Sequence, residues 1–328
     1  MIIVVKKNNK KKRKGRVVLL LIIAVGLAFA VYVLFDHFFV KKADVNTSGA
    51  VETIDETGED ADSGEQEESV STGSQFDANS VKDLWYFDRA NTERYSTYAT
   101  RNPEIPFDDI VWMVEANLDL QPYSGAEAAA DHDSMTVLAN KYFYLPEDYA
   151  PSNLVEIDST MLWREAADSM EEMIIAGASE GHRLWVQSGY RSYMAQTTIY
   201  DQYTSNDGQE VADTYSARPG HSEHQTGLAV DFNTITDAFA ETPEGQWAAE
   251  YSWIFGYITR YTKDNTDITL YRPEPWHFRY IGKEAAARYH EENFLSYEEY
   301  WVKYVKYSPP GMESADESEE ESDESTED

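Results

Sequence analysis

The stretch Ser222-Glu223-His224-Gln225-Thr226-Gly227-Leu228-Ala229-Val230-Asp231 decides how this chain folds. Asp231 follows His224 by seven positions, an odd offset that would set the two side chains on opposite faces of one regular strand. A bend must intervene, and Gly227 is where it comes most easily. Leu228 to Phe232 then reads as a short buried strand that delivers Asp231 into a cleft. Downstream, Trp276-His277-Phe278-Arg279-Tyr280-Ile281 is aromatic and β-branched enough to be a neighbouring strand. Pro273 and Pro275 disfavour helix around Glu274, so Glu274 and His277 do not share a helical face.

Two imidazoles and one carboxylate are a sufficient protein ligand set for one Zn²⁺ with an open position. His224, Asp231 and His277 are the candidate ligands, and Glu274 is placed to take a proton from the attacking water. Read singly, each residue has a plainer role: a His before a Gly is usually a hydrogen-bonded loop or core residue, and an Asp at a strand end usually caps a turn. Their joint occurrence in two distinctive blocks favours the metal. His221, three residues before His224, would chelate only in a helix, and Pro219-Gly220 argues for a loop.

These blocks, with Ser188-Gly189-Tyr190-Arg191-Ser192, Gln196 and the approach segment Asn140 to Tyr149, resemble in order the VanY-type D-alanyl-D-alanine carboxypeptidases. That branch shares its zinc peptidase group with the D-Ala-D-Ala dipeptidases and the hedgehog domain. The resemblance extends over most of the stretch from about Asp83 to Tyr307 and implies one Zn²⁺ on His224, Asp231 and His277, with Glu274 as general acid/base. It also implies Arg191 as the cation beside the scissile carbonyl, and Gln196 and Ser222 as substrate contacts. Tyr190 and Trp276 border the motifs and are candidates for lining the groove.

Around the motifs, apolar residues from Leu162 to Gly177 recur at threes and fours, which predicts a helix over 161–180. Leu184-Trp185-Val186 follows as a strand. Ser192 and Thr242-Pro243 are helix-start signals. Phe76 to Asp158 reads as a helical lead-in and an entry loop. The expected fold is α+β, a small, mostly antiparallel sheet with packed helices, similar to the hedgehog and D-Ala-D-Ala zinc peptidases.

Val17 to Phe35 is an apolar run of nineteen residues, about 28 Å as a helix and close to the ~30 Å hydrocarbon core. Eight Lys and Arg precede it, which holds that end in the cytoplasm and puts the rest outside. The competing reading is a cleaved signal peptide at Ala28-Phe29-Ala30; continued apolar character through Val40 favours a retained anchor. The expected organisation is a basic stub (1–16), an anchor (17–40), an acidic tether (41–80), the zinc domain (81–307) and an acidic tail (308–328). The absence of cysteine excludes disulfides and a lipoprotein anchor. With a net charge of −33, and ten of the 27 Lys and Arg before residue 43, the exterior is too acidic for nucleic acid.

The expected function is thus a single-pass bacterial membrane protein whose external domain trims the C-terminal D-alanine from peptidoglycan stem peptides. Its rivals are an L,D-carboxypeptidase acting on stem tetrapeptides and a wall-peptide-binding module without catalysis; Glu274 argues against the latter.

Overall fold

The computed structural model describes residues 76–310. The stub, the anchor, all but the last residues of the tether and nearly all of the tail lie outside the described residues, among which no helix is long and apolar enough to cross a membrane. Phe76, the first described residue, already packs, with its ring 5.6 Å from that of Tyr95 and 5.1 Å from that of Phe107. Helices α1 (Thr92–Arg101) and α2 (Phe107–Glu115) gather a small apolar cluster around Ile110, Val111, Trp112 and Val114, which also takes in Ile268 and Val302.

A hairpin of β1 (Leu154–Ile157) and β2 (Thr160–Trp163) precedes α3 (Arg164–Ser179). The helix starts three residues later than its apolar spacing predicts, because Met161 to Trp163 are paired with Leu154 to Glu156. Strand pairing here overrides a local helical pattern. β3 (Val186–Ser188) likewise begins two residues after the expected Leu184.

The central sheet joins β3, β4 (Ala229–Phe232), β5 (Tyr257–Tyr261) and β6 (Glu274–Tyr280) in the order β3-β4-β6-β5, with every neighbouring pair antiparallel. Val230, Phe232, Phe278 and Tyr280 alternate along the central strands with the chemical residues and belong to the main core. Burying each of the two phenylalanines stabilises the fold by roughly 1.5–3 kcal/mol. Tyr257, opposite Tyr280, donates its hydroxyl to the Ala166 carbonyl of α3 at 2.7 Å. Pro275 falls among the three residues, Pro275 to His277, between the pairings of Glu274 and Phe278 with β5, one of the few places a sheet tolerates a residue without an N–H.

Helix α4 (Tyr193–Asp207) is capped by Ser192, which accepts from the Ala195 N–H, and α5 (Pro243–Tyr251) by Thr242, which accepts from the Gly245 N–H. Helices α6 (Lys283–Glu291) and α7 (Tyr297–Trp301) close the domain. Small sheet, mostly antiparallel pairing and packed helices agree with the expected α+β class.

Gly227 sits at φ +70°, left-handed, and ends the short 3₁₀ turn that carries His224. A Cβ there would lie 2.7 Å from the Leu154 side chain and 3.2 Å from the Trp163 backbone nitrogen. Gly227→Ala is expected to lower unfolding free energy by about 1–3 kcal/mol, measured by urea denaturation.

Candidate active site

Asp231 and His277 are cross-strand partners at the centre of the sheet. Side chains so paired point to the same face with Cβ atoms about 4.5–5.5 Å apart, so pairing alone brings the two together. His224 arrives from the 3₁₀ turn over Glu223–Thr226, and the Gly227 bend folds it back over the same face. The Asp231 carboxylate lies between the rings, Oδ2 3.3 Å from His224 Nε2 and Oδ1 3.2 Å from His277 Nδ1. All three residues are buried, and their ligand atoms lie within 4.8 Å of one another.

The free nitrogen on each ring follows from its partners. His224 Nδ1 is 2.7 Å from the Gly189 carbonyl, which can only accept, so that nitrogen carries the proton and Nε2 keeps its lone pair. His277 Nε2 is 3.3 Å from Glu223 Oε2, which leaves Nδ1 with the lone pair. Both lone pairs and the Asp231 carboxylate therefore converge. Asp231 Oδ1 is buried without a hydrogen-bond partner, a costly state that a cation would relieve. Two neutral imidazoles, a carboxylate and an orphaned oxygen fit Zn²⁺.

Burial depresses the His224 pKa and keeps that ring neutral. Asp231 is held far below the usual carboxylate range, the two histidines outweighing its burial. Burial would also lower the His277 pKa, but its hydrogen bonds to Asp231 and Glu223 and the negative charges around it pull it up to about 9. Glu274, at the edge of the cluster with Oε2 3.8 Å from His277 Nδ1, is pushed by burial up to about 7, against the opposing charge of His277 and with that of Asp231. A carboxyl poised there can both take and return a proton near neutral pH.

Arg191 donates to Gln196 Oε1 at 2.9 Å and to Ser188 Oγ at 3.1 Å, and its guanidinium reaches to 3.9 Å from Asp231. The Gln196 amide nitrogen donates to the Ala217 carbonyl at 2.7 Å, so this buried side chain orients the arginine. Ser222, Trp276, Arg191 and Gln196 line a cleft of about 540 Å³ with the three metal-binding residues and Glu274. Tyr190, half-buried, is not among the residues that line it; its N–H donates to the Met161 carbonyl at 2.7 Å. Burial raises the pKa of that phenol. His221 is tied to the Asn140 carbonyl at 2.7 Å and lies outside the ligand cluster.

The residue that sequence reading passed over is Glu223. Wholly buried, it accepts from Arg260 Nε at 2.8 Å and from Arg279 Nη1 at 3.2 Å while its other oxygen faces His277. Burial alone would raise its pKa; the two guanidiniums outweigh it and hold the carboxyl below the usual range. A carboxylate on the far nitrogen of a metal-binding His fixes ring and tautomer. The available signal was a Glu directly before the His, which without coordinates looks like a surface residue.

Two imidazoles and an aspartate that could hold one metal ion, with a buried carboxyl and a guanidinium beside them, are the arrangement a single-metal hydrolase centre needs. The family model of VanY, D-alanyl-D-alanine carboxypeptidase, matches residues 159–283. The candidate carboxypeptidase YodJ of Bacillus subtilis (strain 168) is 38% identical over 204 residues, 57% of this chain and 74% of that protein. A D-alanyl-D-alanine carboxypeptidase of Enterococcus faecium is 35% identical over 144 residues, 44% of each chain. The LdcB LD-carboxypeptidase, whose structure is described as revealing the molecular basis of peptidoglycan recognition, superposes with a TM-score of 0.52 at 38% identity, over 55% of this chain and 91% of its own. The chain belongs to the VanY family of D-alanyl-D-alanine carboxypeptidases, which are zinc metallopeptidases.

Glu223→Gln is expected to weaken zinc binding by about 10–100-fold, measured by chelator competition, because an amide turned towards the arginines no longer fixes the His277 tautomer.

Proposed function

We propose that this protein is a carboxypeptidase that removes the C-terminal D-alanine from peptidoglycan stem peptides, working outside a bacterial membrane to which its N-terminal segment anchors it. The observation that carries the catalytic reading is Glu274, whose buried carboxyl stands at the edge of the His224, Asp231 and His277 cluster, inside the cleft that Arg191 also lines. Held by His224, Asp231 and His277, a zinc ion would supply Lewis acidity to the peptide carbonyl and to the attacking water.

The remaining work belongs to the chain. Glu274 takes the proton of the attacking water and passes it to the departing amine nitrogen as the peptide bond breaks. Arg191, held in place by Gln196 and Ser188, faces the oxygen on which negative charge builds. Removing one such donor typically costs about 2.7–4 kcal/mol of barrier. Ser222 and Trp276 form the wall beside the metal-binding residues, where the terminal residue of the peptide sits.

External placement rests on the apolar run from Val17 to Phe35 behind its Lys- and Arg-rich flank. The acidic segment that follows suits a tether and gives the enzyme reach into nearby wall. The likeness to LdcB supports a second reading, L,D-cleavage of stem tetrapeptides, in which the residue before the cut has the L rather than the D configuration and the stem is one residue shorter.

Stem penta-, tetra- and tripeptides, incubated with the zinc-loaded protein and followed by mass spectrometry, separate the two. Loss of one alanine from the pentapeptide is the expected result; release from the tetrapeptide alone establishes the L,D reading, and inertness towards both overturns the carboxypeptidase assignment. Glu274→Gln should keep one zinc per chain and lose about 10²–10⁴-fold in turnover. Only ionised Glu274 accepts a proton, so kcat/KM should fall as pH drops through its pKa. That pKa is about 7 without metal, and a neighbouring divalent cation lowers it, which places the midpoint of the acid limb below 7.

A further inference from the structure

Glu223 does not hold His277 unaided. Its partner Arg260 comes from edge strand β5 and is buried with none of its side chain exposed. Nε donates to Glu223, while the other two guanidinium nitrogens turn the opposite way, Nη1 3.1 Å and Nη2 2.6 Å from the two oxygens of Glu298. Glu298 lies on α7, buried, outside the 159–283 stretch that matches the family model, and it also accepts from Asn140 Nδ2 at 3.1 Å. Arg279, the second cation on Glu223, also donates from Nε to the Tyr280 carbonyl and from Nη2 to the carbonyls of Met135 and Val137. Two arginines and two glutamates thus form a neutral buried cluster, with its donors and acceptors in complementary places.

From this geometry we infer that Glu298 is a positioning residue for the metal centre: α7 aims His277 through the relay Glu298–Arg260–Glu223. The fork of Arg260 has two carboxylates to satisfy, and Glu298 fixes which way it turns. Without Glu298, Nη1 and Nη2 lose their acceptors inside the protein, and the nearest other carboxylate is Glu223. Glu223 Oε2, now free to face His277, is then drawn into a two-pronged pairing with Arg260, since guanidinium and carboxylate favour that geometry. The His277 Nε2–H loses its acceptor, and Nδ1 is no longer held as the lone-pair nitrogen. A short helix outside the stretch that matches the family model therefore belongs to the catalytic unit. The inference builds on the metal-centre reading, but its test reads metal affinity directly and does not depend on which peptide is cleaved.

The test compares wild type, Glu298→Gln, Glu298→Asp and Arg260→Lys in the full chain. Zinc affinity is measured by chelator competition, the Co²⁺-substituted protein by its visible absorption, and folding by thermal unfolding of the metal-free form. Glu298→Gln should bind zinc about tenfold more weakly and shift the Co²⁺ bands, with partial recovery in Glu298→Asp. Arg260→Lys, whose single ammonium cannot span both carboxylates, should show the same loss. In a double-mutant cycle, Glu223→Gln and Glu298→Gln should be strongly non-additive in zinc affinity, because both act on one imidazole. Should Glu298→Gln fail to fold, Arg260→Lys decides the matter. Zinc affinity and Co²⁺ bands unchanged from wild type in the variants that fold, whatever their melting temperature, would overturn the relay and leave Glu298 a purely structural ion-pair partner.

Discussion

The pairing of Asp231 with His277 across two adjacent antiparallel strands is the constraint on which the rest of the molecule depends. A slip of one residue in that register would send one of the two to the opposite face, among Val230, Phe232 and Phe278. The apolar residues that alternate with the ligands therefore guard the chemistry as well as the stability, because they fit the core in one register only. Val230, Phe232 and Phe278 of the main cluster of buried side chains lie on the opposite side of the central strands from Asp231 and His277.

A price accompanies this arrangement. Two arginines and two glutamates with no side-chain exposure above about one per cent lie under the site, where each charge taken singly would be strongly disfavoured. Such clusters add little net stability when their desolvation is counted, but removing one member exposes the rest to that cost. The gain lies in direction, since each guanidinium has its acceptors at fixed angles and each carboxylate its donors. His277 inherits that rigidity through a single hydrogen bond.

Much of this was legible from the order of residues because the signals were local. The bend at Gly227, the strand through Val230, the cap at Ser192 and the Thr242-Pro243 helix start each depend on neighbours a few positions away. The ligand set was legible because His224, Asp231, His277 and Glu274 fall in two compact motifs, and the structure brings the four together. The relay from Glu298 was not, because its members are 37 and 38 residues apart in the chain, and a buried Glu has the same letter as a solvated one. The start of α3 was misplaced for a related reason: Leu162 fits a helical stripe, yet its backbone is committed to a hairpin. Tyr190 is next to Arg191 in the chain yet is not among the residues that line the cleft, because neighbouring side chains need not share a direction.

The register break between Thr259 and Tyr261 does more than admit Pro275 and turn Arg260 inward. β5 is an outer strand of the sheet, and a long, flat outer strand offers its unpaired amides and carbonyls to any other polypeptide that drifts alongside. An irregular edge with a buried guanidinium anchored behind it makes a poor template for such stacking. The stretch of strand that carries the guanidinium orienting a metal-binding ring is thereby also an edge ill suited to pairing with another strand.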